Sequence, residues 1–404
     1  MMSTATIELH AVHAYPPALL NRDDQGTPKE AYVGGVRRVR VSSQSQKLRM
    51  RRHFRSAGLI PDENLAERTR TVVDRLAEAL GALGLAEEQA GTLAVNAVWG
   101  MGILNMDPVN APARFTNILL FISVEEIRKI AEEIHGRADE LLGDALPTEL
   151  VWPTEGEAAK SSKKDRKAAC PKVFQALGRA WLRNLDGSRA VDLALFGRML
   201  AEEPAANIDG ALSVAHAFGV DEMITDLDYF TAVDDRIERG SGYLDTGYLN
   251  TPLLYRYAAV DLGLLRRNLA GDEELTEAAL KAAVTAFIDA QPAAKRTSTA
   301  PFTRPAAVIG VVRTGQPLSL ADAFIKPVAP TRETDLLTAS VARLAEHWRR
   351  VTEAYGDGGL VRAWHVTTVA PDLPGAETLP GERVSAEVLK NRATATGLGR
   401  AEAS

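Results

Sequence analysis

The chain opens on an apolar run, ATIELHAVHAY (5–15), which reads as a strand and stops at Pro16-Pro17. NRDDQGTP (21–28) is a cluster of turn formers, and Gly34-Gly35 punctuates again before residues 36–41, where valine and arginine interleave as a short strand. Ser42 or Ser43 then supplies a cap, and the spacing predicts a helix to about Arg55. Residues 60–185 carry mostly helical periodicity. One short apolar run, TNILLFIS (116–123), reads as a strand before the helix VEEIRKIAEEIHGRADELL, and the Lys-rich stretch EGEAAKSSKKDRKAAC (155–170) reads as a loop or a helix start.

Further on, AVDLALFG (190–197) reads as a strand and DGALSVAHAF (209–218) as a short helix opened by Asp209. LLYRYAAVDL (253–262) and AAVIGVVR (306–313) are strands on either side of the helix EELTEAALKAAVTAFIDA (273–290). A long helix over 334–356 is stopped by Gly356, Gly358 and Gly359, RAWHVTTVA (362–370) is a last strand, and the tail beyond Pro371 reads as loosely ordered. With the helical stretch and the segment 221–250 set aside, strands and helices alternate. The class is α+β, and the nearest simple match is the split βαβ, ferredoxin-like sheet that also underlies RRM modules.

Composition changes this picture little. The 404 residues suffice for two or three domain-sized units, and 46% hydrophobic with 25% charged residues is ordinary for a globular chain. The single cysteine, Cys170, excludes an internal disulfide and has no partner pattern around it. MMSTATIELH lacks a charged region followed by an apolar core, and no apolar run is long enough to span a bilayer. A soluble, cytoplasmic protein without a signal peptide or membrane partner is expected.

Charge changes it more. The net charge is −6, yet no acidic residue lies between Glu30 and Asp62, a stretch holding Arg37, Arg38, Arg40, Lys47, Arg49, Arg51, Arg52 and Arg55. Such a segment in an acidic chain suits a polyanion. Strand alternation sends Arg38 and Arg40 to one face, and Arg37, Val39 and Val41 to the other. The helix start offers unpaired N–H groups to a phosphate, and Lys47, Arg51 and Arg55 share one stripe. Ser42, Ser43, Gln44 and Ser45 hydrogen-bond oxygens without reading a base, so the pattern fits sequence-independent backbone binding. A solvated basic face, or one that docks an acidic protein, stays open.

The segment 221–250 is long for a loop, acidic, and carries Tyr229, Phe230, Tyr243 and Tyr248, so a projecting hairpin that stacks on bases fits it. Its aspartates, Asp226, Asp228, Asp234 and Asp235, keep open a metal-dependent ribonuclease. His10 and His13 lie three apart on a strand and face opposite ways, and His216 reads as a core histidine on a short helix. Phosphate-loop, dinucleotide and paired-cysteine motifs are missing, so no enzyme, metal or cofactor is expected.

LNRDD (20–24), GGVRRVRVSSQSQK (34–47), FGRM (196–199), DGALSVAHAF (209–218), DYFTAVDD (228–235) and YRYA (255–258) together resemble the CasC family. That family supplies the repeated backbone subunit of Cascade, the type I-E CRISPR surveillance complex of antiviral defence. The resemblance implies a ferredoxin-like (RRM-like) palm over 1–59, 188–220 and 253–370. It also implies a helical fingers insertion over 60–187 and a thumb hairpin over 221–252, with residues 371–404 as a tail. It further implies a non-catalytic scaffold whose copies stack along a guide RNA (crRNA) beside other Cascade subunits, while target DNA is recognised by pairing with the guide. Carried onto this chain, Arg22, Lys29, Arg38, Arg40, Ser42, Gln44, Lys47 and Arg51 would contact the guide backbone. Met199 would wedge at its kink, and Tyr229, Phe230 and Thr231 would lie on the thumb at the guide–target duplex. Position 229 is tyrosine where the family is expected to carry tryptophan. Cleavage would belong to a separate nuclease, although related type III backbone subunits cut RNA with a loop acid, which keeps the ribonuclease alternative.

Overall fold

The computed structural model describes residues 5–107, 114–151, 168–187, 189–201, 203–233, 235–236, 241–290, 294–370 and 378–400. The chain forms two compact units, one of Met1–Leu59, Ala211–Leu265 and Glu277–Ser404, the other of Ile60–Gly210 and Arg266–Thr276.

The first unit is built on strands β1 (Thr6–Ala14), β2 (Glu30–Val33) and β3 (Val36–Val41). Two further strands, β4 (Ala66–Thr69) and β5 (Leu120–Ser123), pair with each other in the second unit. The first unit continues with β6 (Leu212–Val214), β7 (Ala217–Gly219), a separate hairpin of β8 (Asp226–Val233) and β9 (Ser241–Leu249), β10 (Leu253–Asp261), β11 (Ala307–Arg313), β12 (Leu360–Thr367) and β13 (Glu382–Arg383). Its nine-stranded sheet runs β13-β12-β11-β1-β10-β7-β3-β2, with β6 also on β10. In chain order, β1, helix Ser43–Ser56, β6/β7, β10, helix Glu273–Asp289 and β11 make a βαββαβ unit. In space its strands lie β11-β1-β10-β6/β7, every neighbour antiparallel. This is the ferredoxin-like palm expected from the sequence.

β1 is buried along nearly its whole length because both sheet faces are covered. Val12, Tyr255, Ile309 and Val311 pack with Val341 and Leu344 of helix Leu336–Tyr355. On the opposite face a Cβ on Gly310 would stand 3.1 Å from Leu389, in the helix Ala386–Gly397. The tail is therefore not loose over 378–400. Ser385 caps this helix by accepting the Val388 N–H, and Leu389 and Ala393 are buried. Only two large-enough apolar positions in a polar stretch hid it from the periodicity.

Two other elements differ from expectation. Residues 191–196 form a helix, fully buried over 191–195 and ended by Gly197 in the left-handed region. A short apolar run that is buried all round has no period to tell strand from helix. The expected helix over 209–218 is instead β6 and β7, because pairing with β10 and the bond from Ala215 N–H to Tyr257 O satisfy its backbone.

In the second unit, helices Val72–Ala82, Glu87–Gly100, Val124–His135 and Lys172–Arg183 close around Leu76, Leu93, Val98, Ile130, Phe174 and Trp181. Gly178 sits against Gly100 so closely that a Cβ there would lie 2.2 Å from a backbone carbon. Residues 188–210, read as palm from the sequence, cluster with this unit. Among the described residues no helix is long and apolar enough to cross a membrane.

Candidate nucleic-acid interface

Several short segments are tied together at the start of helix Ser43–Ser56. Asp23 closes the loop before β2 by accepting from Thr27 N–H at 2.9 Å and Thr27 Oγ1 at 2.6 Å. Asn21 accepts the Ser42 N–H on its Oδ1 at 2.9 Å, and its carbonyl accepts the Lys29 N–H at 2.8 Å. The Lys29 carbonyl accepts the Arg40 N–H at 2.8 Å. Arg22, Lys29, Arg40 and the helix start are thereby held on one framework. Gly34 and Gly35, both at positive φ, make the tight β2–β3 turn, and a Cβ on Gly34 would stand 2.1 Å from Ile325 O.

The helix buries Gln46, Met50 and Phe54, a stripe of period four. The next stripe round carries Lys47, Arg51 and Arg55, with exposed Gln44 one turn earlier, and no acid stands in the first turn. Burial lowers the Lys47 ammonium from its ordinary value. Burial, then the nearby charges of Arg52 and Arg296, lower the Arg49 guanidinium. Such a surface gains from an anion placed over it.

Two of the expected contact residues face inward. Arg38 is 0% exposed. Its Nη1 donates to Gly219 O at 3.0 Å and Asp221 O at 3.3 Å, its Nη2 to Phe324 O at 3.2 Å and Ile325 O at 3.3 Å. The alternation was read correctly, but that sheet face is covered here, so Arg38 braces backbone instead of meeting a ligand. Ser42 is also buried, its hydroxyl accepting the Ser45 N–H as the helix cap. Removing Arg38 takes the donor from four carbonyls, with the bonds to Gly219 O and Phe324 O fully buried. Arg38→Ala is expected to lower stability by about 3 kcal/mol or more, read as a drop in urea midpoint at unchanged slope.

Among the described residues the hairpin β8–β9 pairs with no other strand. Tyr229 lies opposite Thr246, Leu227 opposite Tyr248 and Thr231 opposite Leu244, which makes one uncharged face. Phe230 stands on the other face, beside Asp226, Asp228 and Asp245. Tyr229, Phe230 and Thr231 therefore do not share a side. Tyr229 is 67% exposed, and Phe230 rests 6.2 Å from Tyr243, centre to centre. Asp234 lies outside the described residues, as does most of the Lys-rich stretch 155–170. Among the described residues no three His, Cys, Asp or Glu side chains gather as metal ligands do.

Met199, in the second unit, is 87% exposed between two buried neighbours. Arg198 and Ile208 exchange backbone bonds at 2.9 Å, and Leu200 N–H donates to Asn207 Oδ1 at 2.6 Å. The Arg198 guanidinium is sunk onto Glu126 at 2.9 Å. The thioether is held outward by a frame that cannot turn with it.

Residues 7–390 match the family model described as CT1975-like protein. The chain belongs to the CT1975-like family. A solved chain titled "CRISPR RNA-guided surveillance complex, pre-nicking" is 29% identical with a TM-score of 0.75, over 96% of this chain and 99% of that one. Another, titled "CRISPR RNA-guided surveillance complex", is 26% identical with a TM-score of 0.69, over 97% and 99%. Among curated proteins none matches. The resemblance read from six motifs, to a CRISPR surveillance-complex subunit, is borne out.

A further residue of this CT1975-like chain was misplaced by sequence reasoning. His216, read as a core histidine, is exposed in the β6–β7 connection, its Nδ1 3.0 Å from Arg40 Nη1. The run of small apolar residues around it concealed a turn. His10 bonds the Tyr255 hydroxyl at 2.9 Å and His13 that of Tyr15 at 2.9 Å, both inside the CT1975-like palm. Burial pushes the Cys170 thiol up to about 12, which keeps it protonated.

Proposed function

We propose that the chain is a non-catalytic RNA-binding backbone subunit of a CRISPR surveillance complex of the type I-E kind. Several copies stack along one guide RNA and present it, with other subunits, for pairing with a target DNA strand. The observation that carries this reading is the acid-free cationic rim of helix Ser43–Ser56, built on the framework that also carries Arg22, Lys29 and Arg40. In this reading Arg22, Lys29, Arg40, Gln44, Lys47 and Arg51 meet guide phosphates and 2′-hydroxyls, while Arg38 and Ser42 hold the framework. Met199 wedges at the guide backbone, and the Tyr229–Thr231 face of the hairpin, the thumb, lies on the duplex.

The test is binding of the purified chain to single-stranded RNAs of increasing length, with light scattering, across salt. Bound mass climbing in steps with length, at affinities indifferent to sequence, is expected. Lys47→Ala is expected to flatten the log affinity against log salt slope by about 0.7, one phosphate contact, whereas Arg38→Lys leaves it unchanged. A monomer that ignores RNA, alone and with partner subunits supplied, sinks the reading. Target RNA cut only with magnesium would move the thumb aspartates into a ribonuclease.

A further inference from the structure

His216 is exposed at the turn between β6 and β7, and the turn is tied to its neighbours by hydrogen bonds. The preceding residue is fixed from both sides: Ala215 N–H donates to Tyr257 O at 3.0 Å, and Gln46 Nε2 donates to Ala215 O at 2.8 Å. Arginine has only hydrogens to give, so with Arg40 Nη1 at 3.0 Å the imidazole Nδ1 accepts, and the ring's own proton sits on Nε2. Arg40 is steered into that position by donating from Nε to Glu30 O at 3.0 Å. The Glu30 carboxylate is occupied elsewhere, accepting from Arg37 Nε at 2.8 Å. The charges that act on His216 are those of Arg40, on β3, and Lys29, on the approach to β2, and both are positive. After burial, which acts first, they hold its pKa below the ordinary value. A fixed imidazole N–H beside two cations is a site short of one negative group, of the size and charge of a phosphodiester.

We propose that His216, Lys29 and Arg40 form one phosphate site for the backbone of single-stranded RNA, and that His216 takes up a proton from water when the site fills. The inference rests on the RNA-binding reading above and adds to it a contact and a pH dependence. Protonation puts a hydrogen on Nδ1, so Arg40 Nη1 loses its acceptor there and turns to the phosphate. The phosphodiester stays singly charged throughout, and no bond is made or broken in it. Because the phosphate raises the His216 pKa, affinity increases as pH falls through the bound-state value. The gain is complete below the free value, which lies under 6.5.

The experiment measures binding of the full chain to an oligouridine over a salt series, at about pH 8 and about pH 5.5, on either side of a histidine's range. For the wild type the log–log slope should steepen at the lower pH by about 0.7, one further phosphate neutralised. His216→Gln should give one slope at both pH values, and His216→Lys the steeper slope at both. Steepening that survives in His216→Gln, or none in the wild type, overturns the proposal. A wild type that binds no RNA at either pH overturns the RNA-binding reading beneath it, which keeps the two failures apart.

Discussion

Arg198→Ala is expected to lower the stability of the second unit by about 3–5 kcal/mol, the range for removing one partner of a buried ion pair. The guanidinium and the Glu126 carboxylate are both buried, joined at 2.9 and 3.0 Å. Arg198 also donates to the carbonyls of Ala206 at 3.0 Å, Phe121 at 3.2 Å and Leu185 at 2.9 Å. Glu126 in turn accepts the N–H groups of Ser123 and Gly187 at 2.8 Å each, closing the capping box of helix Val124–His135. Alanine at 198 leaves the buried Glu126 carboxylate without its counter-charge and takes this donor away from three carbonyls. The double replacement Arg198→Met with Glu126→Gln is expected to recover part of the loss, since it removes the stranded charge as well. Urea unfolding of the two variants beside the wild type measures this, and a loss under about 1 kcal/mol in Arg198→Ala would sink the account, since that is what an exposed pair is worth. Met199 depends on the same frame, so its exposure should fall in Arg198→Ala, readable as slower oxidation of that thioether by peroxide.

Leu389→Ala is expected to cost the palm about 2–5 kcal/mol, and a chain ending at Pro371 is expected not to fold. Leu389 is fully buried against Gly310 of β11, and Gly397 comes down on Ile7 of β1, so the C-terminal helix roofs the two central strands. Beside it, Lys390 reaches Asp289 at 2.7 Å and Glu387 at 2.9 Å. Burial pulls the ammonium down, but the two carboxylates outweigh it and its pKa ends above the ordinary value. A raised folded value means this contribution is fully present below the ordinary lysine pKa and is lost as pH rises through the raised one. Helix loss should therefore show at neutral pH only on mutation, and as an alkaline unfolding step in the wild type. Circular dichroism melts of Leu389→Ala and of the shortened chain test both statements; a shortened chain that melts like the wild type refutes them.

The long elements were legible because their periods were unambiguous. β1, β10, β11 and the helices Glu273–Asp289 and Leu336–Tyr355 stand where apolar spacing put them. Short buried pieces were not. Residues 191–196 have no polar side to mark a helix, and β6 and β7 take their conformation from β10, forty residues further on. At the candidate site, the absence of acids between Glu30 and Asp62 announced the patch, and the helix cap fell on Ser42. Which arginine faces outward was not readable. Arg38 and Arg40 share a strand face by parity, yet the backbone at 219–221 and 324–325 closes over Arg38 and leaves Arg40 half-exposed. That covering comes from segments far away in the sequence, and no local pattern encodes it.

The hairpin β8–β9 also bears on how the free protein behaves in the tube. Among the described residues no third strand pairs with it, and Leu227, Tyr229, Leu244 and Tyr248 give one of its sides an uncharged, exposed surface. Ribbons of this kind recruit strands from other molecules. The chain expressed alone should have a solubility ceiling lowered by this hairpin, and a single lysine placed at Thr246 on the same side would raise it while leaving the palm untouched.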